Sequence, residues 1–99
     1  MTKMTTDEIE SKLKGLQGWA LKGEAIERQY VFSGFSSAVA FVVRVGFDAE
    51  AADHHPDILI SHYKKVTLTY TTHRAGGLTE SDFASADAAD RVFETQKAG

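Results

Sequence analysis

The segment 66–73 places side chains of one kind at every second position, which constrains the fold more than any other part of the chain. Apolar Val66, Leu68 and Tyr70 fall on one side of this pattern. A period of two is the geometry of a β-strand with one covered face. The opposite side carries polar residues only, and these are Thr67, Thr69, Thr71 and His73. The chain is therefore expected to form a sheet with one buried face and with His73 at the end of a strand.

Two hairpins are predicted from turn residues between alternating segments. The first covers 19–32, with the turn at Lys22-Gly23-Glu24 and with Ile26, Tyr30 and Phe32 at alternating positions. The second joins a strand over 58–63 to the strand over 66–73 through a turn at Lys64-Lys65. Trp19 and Phe41 are expected in the core, His62 is expected on the surface, and the position of Tyr63 is left open.

Three helices are predicted from apolar residues at helical spacing. The first starts near Thr6, the second runs from 33–37 to Asp53, and the third follows a capping sequence at 79–82. Pro56 forces the second helix to end. The apolar positions of the three helices are Ile9, Leu13 and Leu16, then Ala38, Phe41, Val42, Val45, Ala49 and Ala52, then Phe83, Ala86, Ala89 and Phe93. The predicted class is an α+β fold of order α-β-β-α-β-β-α, whose four-stranded antiparallel sheet is covered by helices on one face.

Composition limits the function. With 99 residues the chain is expected to form one domain, 1–99. A net charge of -3 argues against bulk nucleic-acid binding, and no apolar run approaches the roughly 20 residues that cross a bilayer. The absence of cysteine excludes disulfides and thiolate chemistry. We therefore expect a soluble, cytoplasmic protein whose chemistry comes from other side chains.

Three of the four histidines lie where predicted elements end, and these are His54, His55 and His73. Imidazole moves protons readily near neutral pH, because its unperturbed pKa is about 6.5. Pro56 restricts the backbone beside the adjacent pair, which suits a site. Adjacent histidines in a loop can equally be solvated polar residues, and the pair alone leaves both interpretations open.

A metal site is the main rival for the same histidines, since three imidazoles can ligate catalytic zinc. Neighbouring histidines point apart on most backbones, however, and the sequence has no His-Glu-x-x-His or His-x-His spacing. A serine nucleophile has less support, because Gly-x-Ser-x-Gly is absent. Gly76-Gly77 lacks the context of a phosphate loop and is expected to be a turn. We therefore expect no metal.

The spacing around the histidine pair belongs to a longer pattern. The segments 50–56, 72–73 and 77–82 read Glu-Ala-Ala-Asp-His-His-Pro, Thr-His and Gly-Leu-Thr-Glu-Ser-Asp. Together they resemble the signature of the pterin-4a-carbinolamine dehydratase family. The resemblance extends to segments 16–19, 41–45 and 65–68 and so covers nearly the whole chain. Ile58 is a departure, since many members carry an aromatic residue soon after the proline.

The resemblance implies a reaction. The family converts a 4a-hydroxytetrahydropterin, the product of aromatic amino acid hydroxylases, into quinonoid dihydropterin and water, which supports tetrahydropterin recycling. This elimination delivers a proton to the leaving hydroxyl and removes one from a ring nitrogen, with no metal and no cofactor. By resemblance, His54, His55 and His73 are the expected acid-base residues, and the division of labour among them stays open.

Three carboxylates accompany these histidines. Glu50 and Asp53, near the end of the second helix, could accept hydrogen bonds from the aminopyrimidine edge of a pterin or orient an imidazole. Acids at a helix end are also commonly just solvated. Asp82 completes the family pattern and also falls in the first turn of the third helix, where a carboxylate favours the helix dipole. We expect Glu50, Asp53 and Asp82 to bind substrate, with a capping role equally open for Asp82.

A second class of function stays open, a non-catalytic oligomeric interaction module. Some relatives of this fold act as dimerisation partners for regulatory proteins. A four-stranded sheet leaves open edges that need covering, and the resemblance implies a homodimer through such an edge or a homotetramer through the middle helix. The expected partners are a pterin substrate and further copies of the chain, without direct nucleic-acid or membrane contact.

Overall fold

The computed structural model describes residues 2–98 and confirms the α+β class and the order of elements. The helices are α1 (Thr6–Lys14), α2 (Phe35–Ala52) and α3 (Glu80–Ala98), and the strands are β1 (Ala20–Lys22), β2 (Ala25–Val31), β3 (Asp57–Ser61) and β4 (Lys65–Tyr70). A short 3-10 helix, His73–Ala75, connects β4 to α3. The strands form an antiparallel sheet in the order β1-β2-β4-β3. No helix in the described part of the chain combines the length and apolar character needed to cross a membrane.

The alternation in β4 has the predicted consequence. Val66, Leu68 and Tyr70 are buried, whereas Thr67 and Thr69 on the other face are only half-buried. Leu68 pairs with both neighbouring strands, which places β4 inside the sheet rather than at an edge. The buried face of the sheet therefore provides the floor of the core.

Helices α2 and α3 pack over this floor. The buried side chains are Ala38, Phe41, Val45 and Ala49 from α2, and Phe83, Ala86, Ala89 and Val92 from α3. Trp19 and Phe41 lie in the core as predicted. Ala52 was expected on the buried face of α2 but is exposed, because it is the last residue of the helix. Burying a large apolar side chain contributes about 1.5–3 kcal/mol, so these contacts dominate the stability of the fold.

The N-terminal cap of α1 is one residue earlier than predicted. Thr5, not Thr6, is the N-cap: its hydroxyl accepts the backbone N–H of Glu8 at 3.2 Å. The carboxylate of Glu8 in turn accepts the backbone N–H of Thr5 at 2.8 Å, which lowers the pKa of Glu8. Two backbone donors that a helix start leaves without partners are thus satisfied reciprocally.

The second hairpin differs from the prediction at both ends. Its turn consists of His62, Tyr63 and Lys64, so Lys64 was predicted correctly, whereas Lys65 pairs with Ser61 and belongs to β4. His62 and Tyr63 adopt left-handed φ angles of 49° and 54°. His62 is exposed, as predicted. At the other end β4 stops at Tyr70, and His73 begins the 3-10 helix instead of ending the strand, so its predicted strand position is wrong. The chain turns there because Thr72 forms an isolated bridge with Gly77.

A polar cluster links α3 to the first hairpin. The carboxylate of Asp90 accepts hydrogen bonds from the Trp19 indole at 3.1 Å, from the Arg28 guanidinium at 2.8 Å and from the Tyr30 hydroxyl at 2.6 Å. Burial, followed by the bond to Asp90, raises the pKa of Tyr30 well above its ordinary value. Sequence spacing gave no sign of this cluster, because Trp19 precedes β1, Arg28 and Tyr30 lie on β2, and Asp90 lies far along the chain on α3.

Candidate active site

The end of α2 positions the adjacent histidines. Asp53 is the C-cap and adopts the left-handed conformation, with φ at 52°. The backbone N–H of His54 bonds to the Ala49 carbonyl at 3.1 Å, and Pro56 prevents further helix. The two imidazoles then meet different environments, since the side chain of His54 is 14% exposed and that of His55 is 57% exposed.

His54 is held from two sides. Its Nε2 atom lies 2.6 Å from Oδ1 of Asp82 in the first turn of α3. Its ring is nearly parallel to the Tyr70 ring, at 10° and with centroids 6.1 Å apart. Burial, with a smaller effect from the Asp48 charge, raises the pKa of Tyr70 above its ordinary value, so its phenol keeps its proton into alkaline solution. An aromatic face and a carboxylate therefore orient this imidazole.

Asp82 has no exposed surface. Besides His54, it accepts the Thr72 hydroxyl at 2.8 Å and the Thr79 backbone N–H at 2.9 Å, both on Oδ2. The second contact confirms the predicted capping sequence at the start of α3. Both carboxylate oxygens of Asp82 therefore bond to protein groups, and its contact with substrate stays a prediction.

The other carboxylates lie on the outside of the site. Glu50 Oε1 is 2.9 Å from Nε2 of His55, and both side chains are largely exposed. Exposed ion pairs are screened by water and contribute little to stability. Asp53 is exposed at the same helix end. Glu50, Asp53 and His55 thus form an accessible polar rim next to the half-buried His54.

His73 follows Thr72 in the chain. It is exposed at the start of the 3-10 helix, directly after Thr72, whose hydroxyl contacts Asp82. The structure therefore joins His54 to Asp82 and His55 to Glu50 by direct contact, whereas His73 is connected to these groups only through its peptide bond to Thr72. Across residues 2–98, no group of three or more His, Asp or Glu side chains has the arrangement of a metal site.

Two residues of this site were missed by the sequence analysis, Tyr70 and Thr72. Tyr70 was assigned only to the sheet floor, yet it also stacks on His54 and lines a cleft of about 130 Å³ between α2 and α3. Thr72 comes two residues after Tyr70, so it falls on the same side of the alternating pattern as Val66, Leu68 and Tyr70, and it is buried like them. A polar residue at an apolar-face position was the signal for its inward hydroxyl.

The fold and this cluster define a class of small α+β proteins that carry histidines and carboxylates between the end of one helix and the start of another. A solved structure from Brucella melitensis, described as a transcriptional coactivator/pterin dehydratase, has this architecture with a TM-score of 0.86. It is 34% identical, and the match covers 92% of this chain and 98% of that one. A pterin dehydratase-like protein described as a RuBisCO assembly factor in the alpha-carboxysome shares the fold, with a TM-score of 0.61 and 20% identity.

The chain belongs to the pterin 4 alpha carbinolamine dehydratase family, whose model matches residues 2–92. A protein of Roseiflexus sp. strain RS-1, provisionally named pterin-4-alpha-carbinolamine dehydratase, is 50% identical over 93% of this chain and 98% of its own length. One of Chloroflexus aurantiacus with the same provisional name is 47% identical over 94% of this chain and 99% of its own length.

Proposed function

We propose that this protein is a 4a-hydroxytetrahydropterin dehydratase that works by histidine acid-base catalysis in the cytoplasm and supports tetrahydropterin recycling. The observation that carries the proposal is the 2.6 Å contact between His54 and the buried Asp82. It orients a half-buried imidazole next to the accessible His55 at one end of the fold. Membership of the carbinolamine dehydratase family supplies the substrate class.

The reaction needs only proton transfers. Loss of water from the 4a-carbinolamine breaks the bond from C4a to the hydroxyl oxygen, which leaves with a proton from a general acid. A general base removes a proton from a ring nitrogen, and no electrons pass to another molecule. Imidazole can serve in either role near neutral pH, so no metal or cofactor is required.

We assign a role in the reaction to each side chain from its chemistry and its exposure. His54, His55 and His73 exchange protons with the pterin and its leaving hydroxyl. Glu50 and Asp53, on the accessible rim, accept hydrogen bonds from the donor-rich aminopyrimidine edge. We assign Asp82 a positioning role through His54, because its own carboxylate is fully buried.

Stopped-flow measurement of 4a-hydroxypterin dehydration tests this function, with and without exhaustive chelation. We expect chelation to leave the catalysed rate unchanged. We also expect that rate to depend on pH, with an inflection within about one or two units of pH 6.5. A catalysed rate that is flat from about pH 5 to 9, the range over which imidazole titrates, would contradict histidine chemistry. Zinc whose removal abolishes turnover would contradict a reaction driven by proton transfer alone.

Histidine variants locate the chemistry. His54→Ala and His55→Ala should each lower the rate by about 10²–10⁴-fold, the usual contribution of a general acid or base. His62→Asn is the matched control, because it removes an imidazole from the exposed turn and asparagine tolerates the left-handed φ found there. A control variant that loses as much activity as His54→Ala would place the site elsewhere.

A second candidate is the oligomeric interaction module. Phe47 on α2 is 73% exposed, and Val43 on the same helix and Leu59 on the edge strand β3 are also exposed. Phe47 and Val43 lie on the helix layer, whereas Leu59 pairs with Thr67 and lies on the other face of the sheet. Large exposed apolar side chains favour partner surfaces, and we propose that these two surfaces form a homodimer or homotetramer. A chain that oligomerises in sedimentation experiments but leaves dehydration at the uncatalysed rate would be this module and not an enzyme.

A further inference from the structure

We propose that Thr72 is a positioning residue of this site, which acts through Asp82 to hold His54 with its proton on Nε2 and to leave Nδ1 as the atom that exchanges protons with substrate. The first part concerns the arrangement of protein groups alone. The assignment of Nδ1 as the reacting atom rests on the proposed function.

The two oxygens of Asp82 have different partners. Oδ2 accepts the Thr72 hydroxyl at 2.8 Å and the Thr79 backbone N–H at 2.9 Å. Oδ1 lies 2.6 Å from His54 Nε2. Asp82 and the two residues that donate to Oδ2 are nearly or fully buried, with Thr72 4%, Thr79 2% and Asp82 0% exposed. Water therefore does not compete for Oδ2, and the orientation of the carboxylate is set by Thr72 and Thr79.

Counting protons gives the direction of each bond. A threonine hydroxyl has one proton, and that of Thr72 goes to Asp82. The 2.9 Å contact between the Thr72 and Thr79 hydroxyls must then use the proton of Thr79. An ionised carboxylate only accepts, so the bond to Asp82 Oδ1 requires the proton on Nε2 of His54.

This assignment leaves one nitrogen of His54 for chemistry. Within the described chain, Nδ1 of His54 forms no hydrogen bond, so it carries a free lone pair when the ring is neutral. The ring can take up a proton at Nδ1 and return it while Nε2 stays bonded to Asp82. A carboxylate that accepts a hydrogen bond from one ring nitrogen fixes the tautomer of a histidine, so the other nitrogen is the atom that exchanges protons.

The Thr72 hydroxyl is the donor to Oδ2 that a substitution can remove, because the other donor is the backbone N–H of Thr79. Thr72→Val keeps the size and branching of the side chain and removes the hydroxyl, so Oδ2 keeps one donor and the carboxylate can rotate. Small displacements of a catalytic group can cost about 10²-fold in rate. We expect kcat to fall by about 10–100-fold with KM changed little, since Thr72 is buried and is not placed to touch substrate.

The experiment combines kinetics with nitrogen-15 NMR of the histidine rings at about pH 9, where an ordinary imidazole is neutral. In the unmodified protein, His54 should show the pattern of a protonated Nε2 and an unprotonated Nδ1. Thr72→Val should shift it toward a mixture of tautomers and lower kcat, and Thr72→Ser should restore both. Thr69→Val is the matched control, because the Thr69 hydroxyl donates to Glu27 on the opposite face of the sheet.

Either of two results would overturn the proposal. These are a protonated Nδ1 on His54 in the unmodified protein, or a Thr72→Val protein that is less stable but keeps the unmodified tautomer and kcat. The first measurement needs no variant, so it decides the tautomer even if Thr72→Val does not fold. If the unmodified protein has no dehydratase activity but Thr72→Val still shifts the tautomer, the proposed function fails while the positioning role stands.

Discussion

The Nε2 atom of His54 lies 2.6 Å from Oδ1 of Asp82, although 28 residues separate the two in the chain. His54 follows the end of α2, and Asp82 lies in the first turn of α3. Two helix ends therefore meet at one hydrogen bond, between a half-buried base and a buried acid. This contact connects the stability of the α3 start to the orientation of the imidazole.

Asp82→Asn should reduce both stability and activity. The substitution keeps the shape of the side chain but replaces one accepting oxygen by an amide that donates, so the amide either faces the backbone donor of Thr79 or forces Nε2 of His54 to become an acceptor. The free energy of unfolding should fall by about 1–3 kcal/mol, the cost of an unsatisfied buried group. The dehydration rate should fall by about 10²-fold or more. Denaturant unfolding and stopped-flow kinetics measure the two, and an unchanged rate would contradict the role of Asp82.

Asp90→Asn separates stability from catalysis. The amide would lose the charge that Arg28 pairs with and would set a donor against Trp19 or Tyr30. We expect a loss of about 2–4 kcal/mol in the free energy of unfolding, by analogy with removing one partner of a partly buried ion pair. Turnover per folded molecule should stay unchanged, because Asp90 has no contact with the site histidines. A fall in activity as large as that of Asp82→Asn would show that the Asp82 result reflects stability alone.

His73→Ala should leave the fold intact and remove activity. The imidazole is exposed at the start of the 3-10 helix and fills no core space, so the free energy of unfolding should change by no more than about 1 kcal/mol. The rate should fall by about 10²–10⁴-fold. The double variant with His55→Ala should lose less than the product of the single losses if both serve one proton-transfer unit. Independent, multiplying losses would mean that the two histidines serve separate steps.

Tyr70→Phe should change how stability depends on alkaline pH. Burial raises the pKa of Tyr70 above its ordinary value of 10.0, so above that pH the unfolded chain loses the phenolic proton while the folded chain keeps it. The contribution of Tyr70 is therefore complete below about pH 10 and is lost as pH rises, by about 1.4 kcal/mol per pH unit. Relative to the unmodified protein, Tyr70→Phe should gain stability only above about pH 10.

Denaturant midpoints at pH values around 8 to 11.5, on both sides of the ordinary tyrosine pKa, measure this difference. Tyr63→Phe, at the exposed turn of the second hairpin, is the matched control. Parallel stability curves for Tyr70→Phe and the unmodified protein across this range would show that the buried phenol does not couple to folding.

Local patterns were enough for the elements and their faces. The alternation at Val66, Leu68 and Tyr70 predicted the buried face of β4, and Pro56 predicted the end of α2, because both effects depend on backbone geometry within a few residues. The family pattern brought His54, His55 and His73 together as candidates. Their roles, and those of Glu50 and Asp53, remain predictions for the experiments above.

The predicted ends of strands and turns were less accurate where a tertiary contact competes with the local preference for strand. The strand was expected to continue to His73, but the Thr72 hydroxyl turns inward to Asp82 and the backbone of Thr72 pairs with Gly77, so the chain leaves the sheet after Tyr70. The second hairpin turns over residues 62–64, one residue earlier than a turn at Lys64-Lys65, because Lys65 pairs with Ser61 in the ladder.

Most residues that face the core could be predicted from local sequence, since side-chain direction repeats with the period of a strand or a helix; Ala52 and Thr72 are exceptions. The burial of Asp82 behind His54, and the inward direction of one threonine of the Thr71-Thr72 pair, became visible in the folded chain. These facts depend on how the start of α3 packs against the end of α2. No local period encodes that packing, because the hydrogen bond it creates joins groups that are distant in sequence and are brought together only when the core closes.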